Sequence, residues 1–112
     1  MLLHINNIYN TISFMNILGK EYSLSFGLRS MFIFESITGN IFSIKTMFDE
    51  YVYFYSCLMA NANNPKLDFD EFINYCDEHP ELLKEFDEAL LQESKRKELL
   101  NKDKKKAKTA KK

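Results

Sequence analysis

Three glycines, two prolines and two cysteines are all that 112 residues hold of these types, and each scarcity excludes something. So few glycines cannot build a glycine-rich phosphate loop. Two cysteines are too few for a disulfide framework and lack the paired spacing of a zinc site. Cys57 and Cys76 are therefore expected as reduced, buried thiols of a cytosolic protein. No run approaches the ~20 apolar residues of a membrane span. The first nineteen residues contain no Lys or Arg, and Asn6, Asn7 and Asn10 interrupt them, which argues against a signal peptide. His4 and His79 stand apart, without spaced carboxylate or thiolate partners. No Ser/His/Asp or Cys/His pattern is visible. No catalytic, cofactor-binding or metal-ligating residue is assigned, and the chain is read as a non-enzyme without cofactor.

What is present is apolar and aromatic. Hydrophobic residues make up 46 %, with ten Phe and six Tyr, enough for one small domain with an aromatic core. At this size the apolar material is thin for a monomer, so a homo-oligomer is compatible. The charges segregate: residues 1–100 carry eight basic against fifteen acidic side chains, and residues 101–112 carry seven against one. An acidic body bears a basic tail.

Residues 20–40 organise the chain. Tyr22, Leu24 and Phe26 alternate with polar residues, which predicts a strand with one apolar face. Gly27 is read as a hinge that frees the backbone. Leu28, Met31, Phe34 and Ile37 recur at one-turn spacing and predict a helix over 28–38 that Gly39 stops. Upstream, Gly19-Lys20 is placed as the turn of a small hairpin that folds Ile17-Leu18 back on the strand. Residues 1–14 fit no clean period and are expected as an arm outside the domain, with Met15 as an alternative translation start.

Downstream, Ser43 is expected to cap a helix over 44–60. Its buried face is assigned to Ile44, Phe48, Tyr51, Tyr55 and Leu58, and its less buried side to Lys45, Asp49, Val52 and Ser56. Pro65 breaks the chain in a loop. Asp68 and Glu71 form a capping box for a third helix, and Pro80 separates it from a fourth. Residues 101–112 hold no large apolar side chain and are expected to be disordered. The fold class is thus mainly α: a four-helix domain over 15–100 with a short N-terminal β-hairpin and a disordered basic C-terminal tail. The expected core comprises Phe26, Leu28, Met31, Phe34, Ile37, Phe48, Tyr51, Tyr55, Phe72 and Phe86.

Three stretches, Gly19-Lys20-Glu21-Tyr22, Phe26-Gly27-Leu28-Arg29 and Glu35-Ser36-Ile37-Thr38-Gly39, together carry a likeness. Over residues 17–100 the chain resembles tail assembly chaperones of long-tailed, siphovirus-like bacteriophages. The resemblance implies a non-enzymatic protein of the infected bacterial cytoplasm. Such a protein would hold the helical tape-measure protein soluble, help recruit tail-tube subunits, and be absent from the mature virion. It also implies a frameshifted longer product; Lys104, Lys105 and Lys106 are encoded by AAA or AAG, codons that allow a run of adenines suited to slippage.

Leu67–Phe72 imitates the end of an EF-hand loop. However, with Glu71 as twelfth ligand the first and third positions fall on Ala60 and Ala62, and Pro65 takes the place of the required glycine. A degenerate EF-hand-like module is the weaker reading. The cluster Tyr51, Tyr53, Phe54 and Tyr55 is the candidate partner-binding surface. Stacking on bases is disfavoured because an acidic body repels phosphate. A small phage regulatory or DNA-associated protein using its basic tail is the alternative from another class. No membrane partner is expected.

Overall fold

The computed structural model describes residues 14–110, with side chains through Asn101. The expected arm thus lies outside the described residues except for Phe14, which opens the first strand. That strand, β1 (Phe14–Ile17), pairs antiparallel with β2 (Lys20–Ser23), with Ile17 opposite Lys20 and Met15 opposite Tyr22. The turn is Leu18-Gly19, one residue earlier than the sequence reading placed it. Leu18 has φ 55° and Gly19 φ 78°, the pair of positive angles that a tight type I′ hairpin needs. Leucine is a poor occupant of such a position, which is why the turn was not legible there. Met15, Ile17, Tyr22 and Leu24 all point to the core, as their period of two requires.

Helix α1 (Leu28–Thr38) ends as its sequence dictates. Gly39 takes the left-handed C-cap at φ 73°, and its N–H donates to the Glu35 carbonyl at 2.8 Å. Thr38 Oγ1 donates to the Phe34 carbonyl at 3.0 Å and accepts from the Asn40 N–H at 3.1 Å. The hinge expected at Gly27 is corrected. Its backbone is extended, a conformation open to any residue, and no atom lies within 4 Å of where a Cβ would stand. The helix start is instead held by Ser30, whose Oγ donates to the Gly27 carbonyl at 2.7 Å and accepts its N–H at 3.2 Å.

Helix α2 (Met47–Met59) starts later than expected, with Thr46 rather than Ser43 as cap. Thr46 Oγ1 accepts the Asp49 N–H at 3.1 Å, and Asp49 Oδ2 accepts the N–H groups of Thr46 at 3.2 Å and Lys45 at 2.9 Å. This reciprocal box satisfies donors that a start at residue 44 would leave free. α2 is the central element and touches α1, α3 (Phe69–Glu78) and α4 (Glu81–Ala110). Its burial therefore wraps most of the way round, through Val52, Tyr53, Phe54, Ser56, Cys57 and Leu58. Val52 and Ser56, assigned to the less buried side, are fully buried, and Ser56 Oγ donates to the Val52 carbonyl at 2.7 Å. Phe48, assigned to the core, is exposed.

The core is a run of aromatic rings. Phe34 meets Phe42 edge-on at 5.1 Å, Phe42 meets Tyr53 at 4.9 Å, and Tyr53 meets Phe86 at 5.8 Å. Phe86 stacks on Phe54 at 4.6 Å, and Phe54 meets Phe72 edge-on at 5.0 Å. Such contacts add to area burial by about 0.5–1.5 kcal/mol each. Asp68 caps α3 through the Glu71 N–H at 3.3 Å, without the return bond from Glu71 that a full box would have. His79 closes α3, its Nδ1 2.9 Å from the Tyr75 carbonyl and its ring stacked on Tyr75. α4 runs for 30 residues, its helical bounds continuing over the segment read as lacking structure. That segment contains no Gly or Pro and is rich in Lys and Ala, which are strong helix formers. Among the described residues the architecture is mainly α, four helices behind a two-stranded hairpin. Among the described residues, no helix is long and apolar enough to cross a membrane.

Candidate functional site

Two hydrogen bonds fix how the helical hairpin α1–α2 sits. The Ser25 N–H donates to the Cys57 carbonyl at 3.0 Å, which brings the start of α1 to the end of α2. The Phe42 N–H donates to Glu35 Oε2 at 2.8 Å, which folds the connecting link back on the end of α1. The hairpin thus has a closed end near β2 and an open end formed by residues 37–48.

That open end is apolar and uncovered. Ile41 is 85 % exposed, Met47 71 % and Phe48 58 %, and Ile37 and Ile44 are exposed as well. Beside them is a recess of about 700 Å³ lined by Phe34, Gly39, Asn40, Ile41, Ser43, Lys45 and Asp49. Further along α1, Leu28 and Phe32 sit one turn apart, 68 % and 60 % exposed. Leu28, Ile37 and Phe48 were expected in the core. The face that α1 turns inward is that of Ser30 and Phe34, and a stripe spaced three residues apart drifts round the helix by about 60° per step, so its ends leave that face.

The aromatic cluster singled out from the sequence is placed elsewhere. Phe54 is wholly buried and Tyr53 nearly so, while Tyr51 and Tyr55 are half-buried and packed against the core. The Tyr55 hydroxyl donates to the Leu67 carbonyl. Tyr53 lies beside Ser30 and Cys57, and burial pushes its hydroxyl well above the usual phenol range. These rings hold the helices together, and Tyr53 and Phe54 are not available to a partner. The residues that are available, Ile41, Ile44, Met47 and Phe48, carried a signal that was missed. They are large apolar residues on either side of the Thr46 cap, Ile41 and Ile44 in the link before it and Met47 and Phe48 in the first turn after it, where core residues are scarce.

Comparison with family models, curated proteins and solved structures finds no significant match. Burial pushes the Cys57 thiol up to about 12 and the Cys76 thiol up to about 11, so neither is a thiolate at neutral pH. Among the described residues, no three His, Cys, Asp or Glu side chains come together as a metal site. The Asp49 carboxyl is held below the usual carboxylate range, chiefly by the Lys45 N–H. Its acidity belongs to the helix cap, beside the recess, rather than to a proton-transfer pair.

Proposed function

We propose that this protein is a non-enzymatic assembly chaperone that covers an apolar helical segment of a larger partner. The kind indicated by its resemblance is a phage tail assembly chaperone. Its client would be the tape-measure protein, and it would help bring tail-tube subunits to that client in the cytoplasm of the infected host before leaving the finished particle. The observation that carries this reading is the open end of the α1–α2 hairpin, where Ile37, Ile41, Ile44, Met47 and Phe48 stand exposed within twelve residues of chain and Ile41 lines a recess. Clustered exposed apolar residues on a small domain mark an interaction surface, and an amphipathic helix laying its apolar face against one is a recurring way to cover it. The acidic balance of residues 1–100 supports it: like charge keeps loaded chaperones apart and steers basic segments of a client.

The test is co-expression with a phage tape-measure protein, measuring its soluble fraction. The reading predicts that the wild-type chain raises that fraction and that Ile41→Asp with Phe48→Asp abolishes the rise while leaving the fold intact by circular dichroism. An unchanged soluble fraction overturns it, as does undiminished rescue by the double variant. Salt-dependent retention on DNA in place of client binding would favour the DNA-associated alternative.

A further inference from the structure

α4 outgrows the body it packs on. Leu82, Phe86 and Ala89 are buried, but from Ser94 through Asn101 every side chain is exposed, Leu99 and Leu100 among them. A helix projecting this far gains little from tertiary packing over residues 94–101, and such a stretch is marginal in water by itself. Its charge is divided along its length. Residues 81–93 hold five acidic side chains and one lysine, whereas residues 94–110 hold eight basic and two acidic.

We propose that α4 pairs with α4 of a second copy of this chain, antiparallel, about a two-fold axis at Lys95. At 3.6 residues per turn, positions 88, 91, 95, 99 and 102 fall within about 40° of one line along the helix. Read in order they are Glu88, Leu91, Lys95, Leu99 and Lys102, and the first four are exposed. Reversed and laid on itself, this face sets Leu91 against Leu99 and Glu88 against Lys102, with Glu85 flanking Lys105. Each contact occurs twice, as an isologous interface requires. The Glu93–Arg96 ion pair, at 2.7 Å, lies on the other side of the helix and does not compete. Two like-charged meetings, Lys95 with itself and Lys84 with Lys106, oppose the association and keep it weak and reversible. A parallel pair would set acid on acid and base on base throughout, so charge selects the antiparallel arrangement. This pairing stands on α4 alone and is independent of the open end of α1–α2.

Sedimentation velocity of the full chain at low salt, over a concentration series, tests it. The expected result is a monomer–dimer equilibrium weakened by added salt. Glu88→Lys and Lys102→Glu should each weaken the dimer roughly tenfold, since each reverses two pairs at once, and the double exchange should restore it. Mixing a Leu91→Cys chain with a Leu99→Cys chain should give a disulfide-linked pair under oxidation. Neither chain alone should do so, and the buried native thiols should not interfere. A strictly monomeric chain at several hundred micromolar (roughly the weak end of specific association) overturns the proposal. So does failure of the double exchange to restore the dimer, or a disulfide-linked pair from either single-cysteine chain alone.

Discussion

Asn64 ties the hairpin to the central helix, and its removal should cost more than a loop residue ordinarily does. Its Oδ1 accepts the Ser23 N–H at 3.0 Å, while its Nδ2 donates to the Ser23 carbonyl at 2.7 Å and the Leu58 carbonyl at 2.8 Å. The side-chain amide thus imitates a neighbouring strand on the outer edge of β2. Ser23 is opposite Phe14, at a register position where hydrogen bonding alternates away from β1, so its peptide groups face outward and need this partner. Three bonds at a net 0.5–1.5 kcal/mol each, discounted because water reaches a half-buried site, give about 2 kcal/mol for Asn64→Ala. In urea, with a slope near 1–1.5 kcal/mol/M for a domain of this size, the midpoint should fall by about 1.5 M with the slope unchanged. Asn64→Asp separates geometry from chemistry. It keeps the acceptor for the Ser23 N–H but sets a carboxylate against two carbonyl oxygens, so at pH 7 it should be no more stable than Asn64→Ala. Those oxygens raise the folded-state pKa of the new carboxyl. Its destabilisation should therefore ease as pH falls through that value and the group becomes a donor. An Asn64→Ala variant within about 0.5 kcal/mol of wild type, the scatter of ordinary surface substitutions, would refute the reasoning.

The hairpin turn should accept improvement: Leu18→Asn replaces a residue strained at positive φ, and thermal melting should show about 1 kcal/mol of added stability. Asp49, whose folded-state pKa is depressed by its backbone donors, contributes stability above the ordinary carboxylate range and loses it as pH falls through the folded value. The gap in urea midpoint between wild type and Asp49→Ala should accordingly close below about pH 4. Cys57 and Cys76 should ignore a thiol reagent at pH 8 until urea unfolds the chain. Because their folded pKa values are raised, their contribution is full below about pH 9 and is lost as pH climbs through the folded values.

The features legible in the sequence are those decided locally. Gly39 stopping α1, Asp68 starting α3 and Pro80 dividing α3 from α4 each act through one or two neighbouring residues. The alternation of Tyr22 and Leu24 likewise announced the apolar face of the hairpin. What was not legible depends on distant parts of the chain. The Asn64 bonds to Ser23 span 41 residues. The burial of Val52 and Ser56 follows from α2 being surrounded, which no single periodic stripe can signal. An aromatic run on a central helix looks like a surface patch in sequence, whereas of the uncovered apolar residues Ile41 and Ile44 lie in a link, and Ile37, Met47 and Phe48 lie at the helix ends that flank it.

The central claim is that the open end of the α1–α2 hairpin receives an apolar helix. It is tested most directly by methyl NMR of the isoleucines and methionines during titration with an amphipathic helical peptide cut from a phage tape-measure protein. The account predicts saturable shifts at Ile37, Ile41, Ile44 and Met47, with the methyls of the fully buried Ile17 and the nearly buried Met15 unmoved. Shifts confined to residues outside 37–48, or none at millimolar peptide (about the weakest affinity worth calling specific), would contradict it.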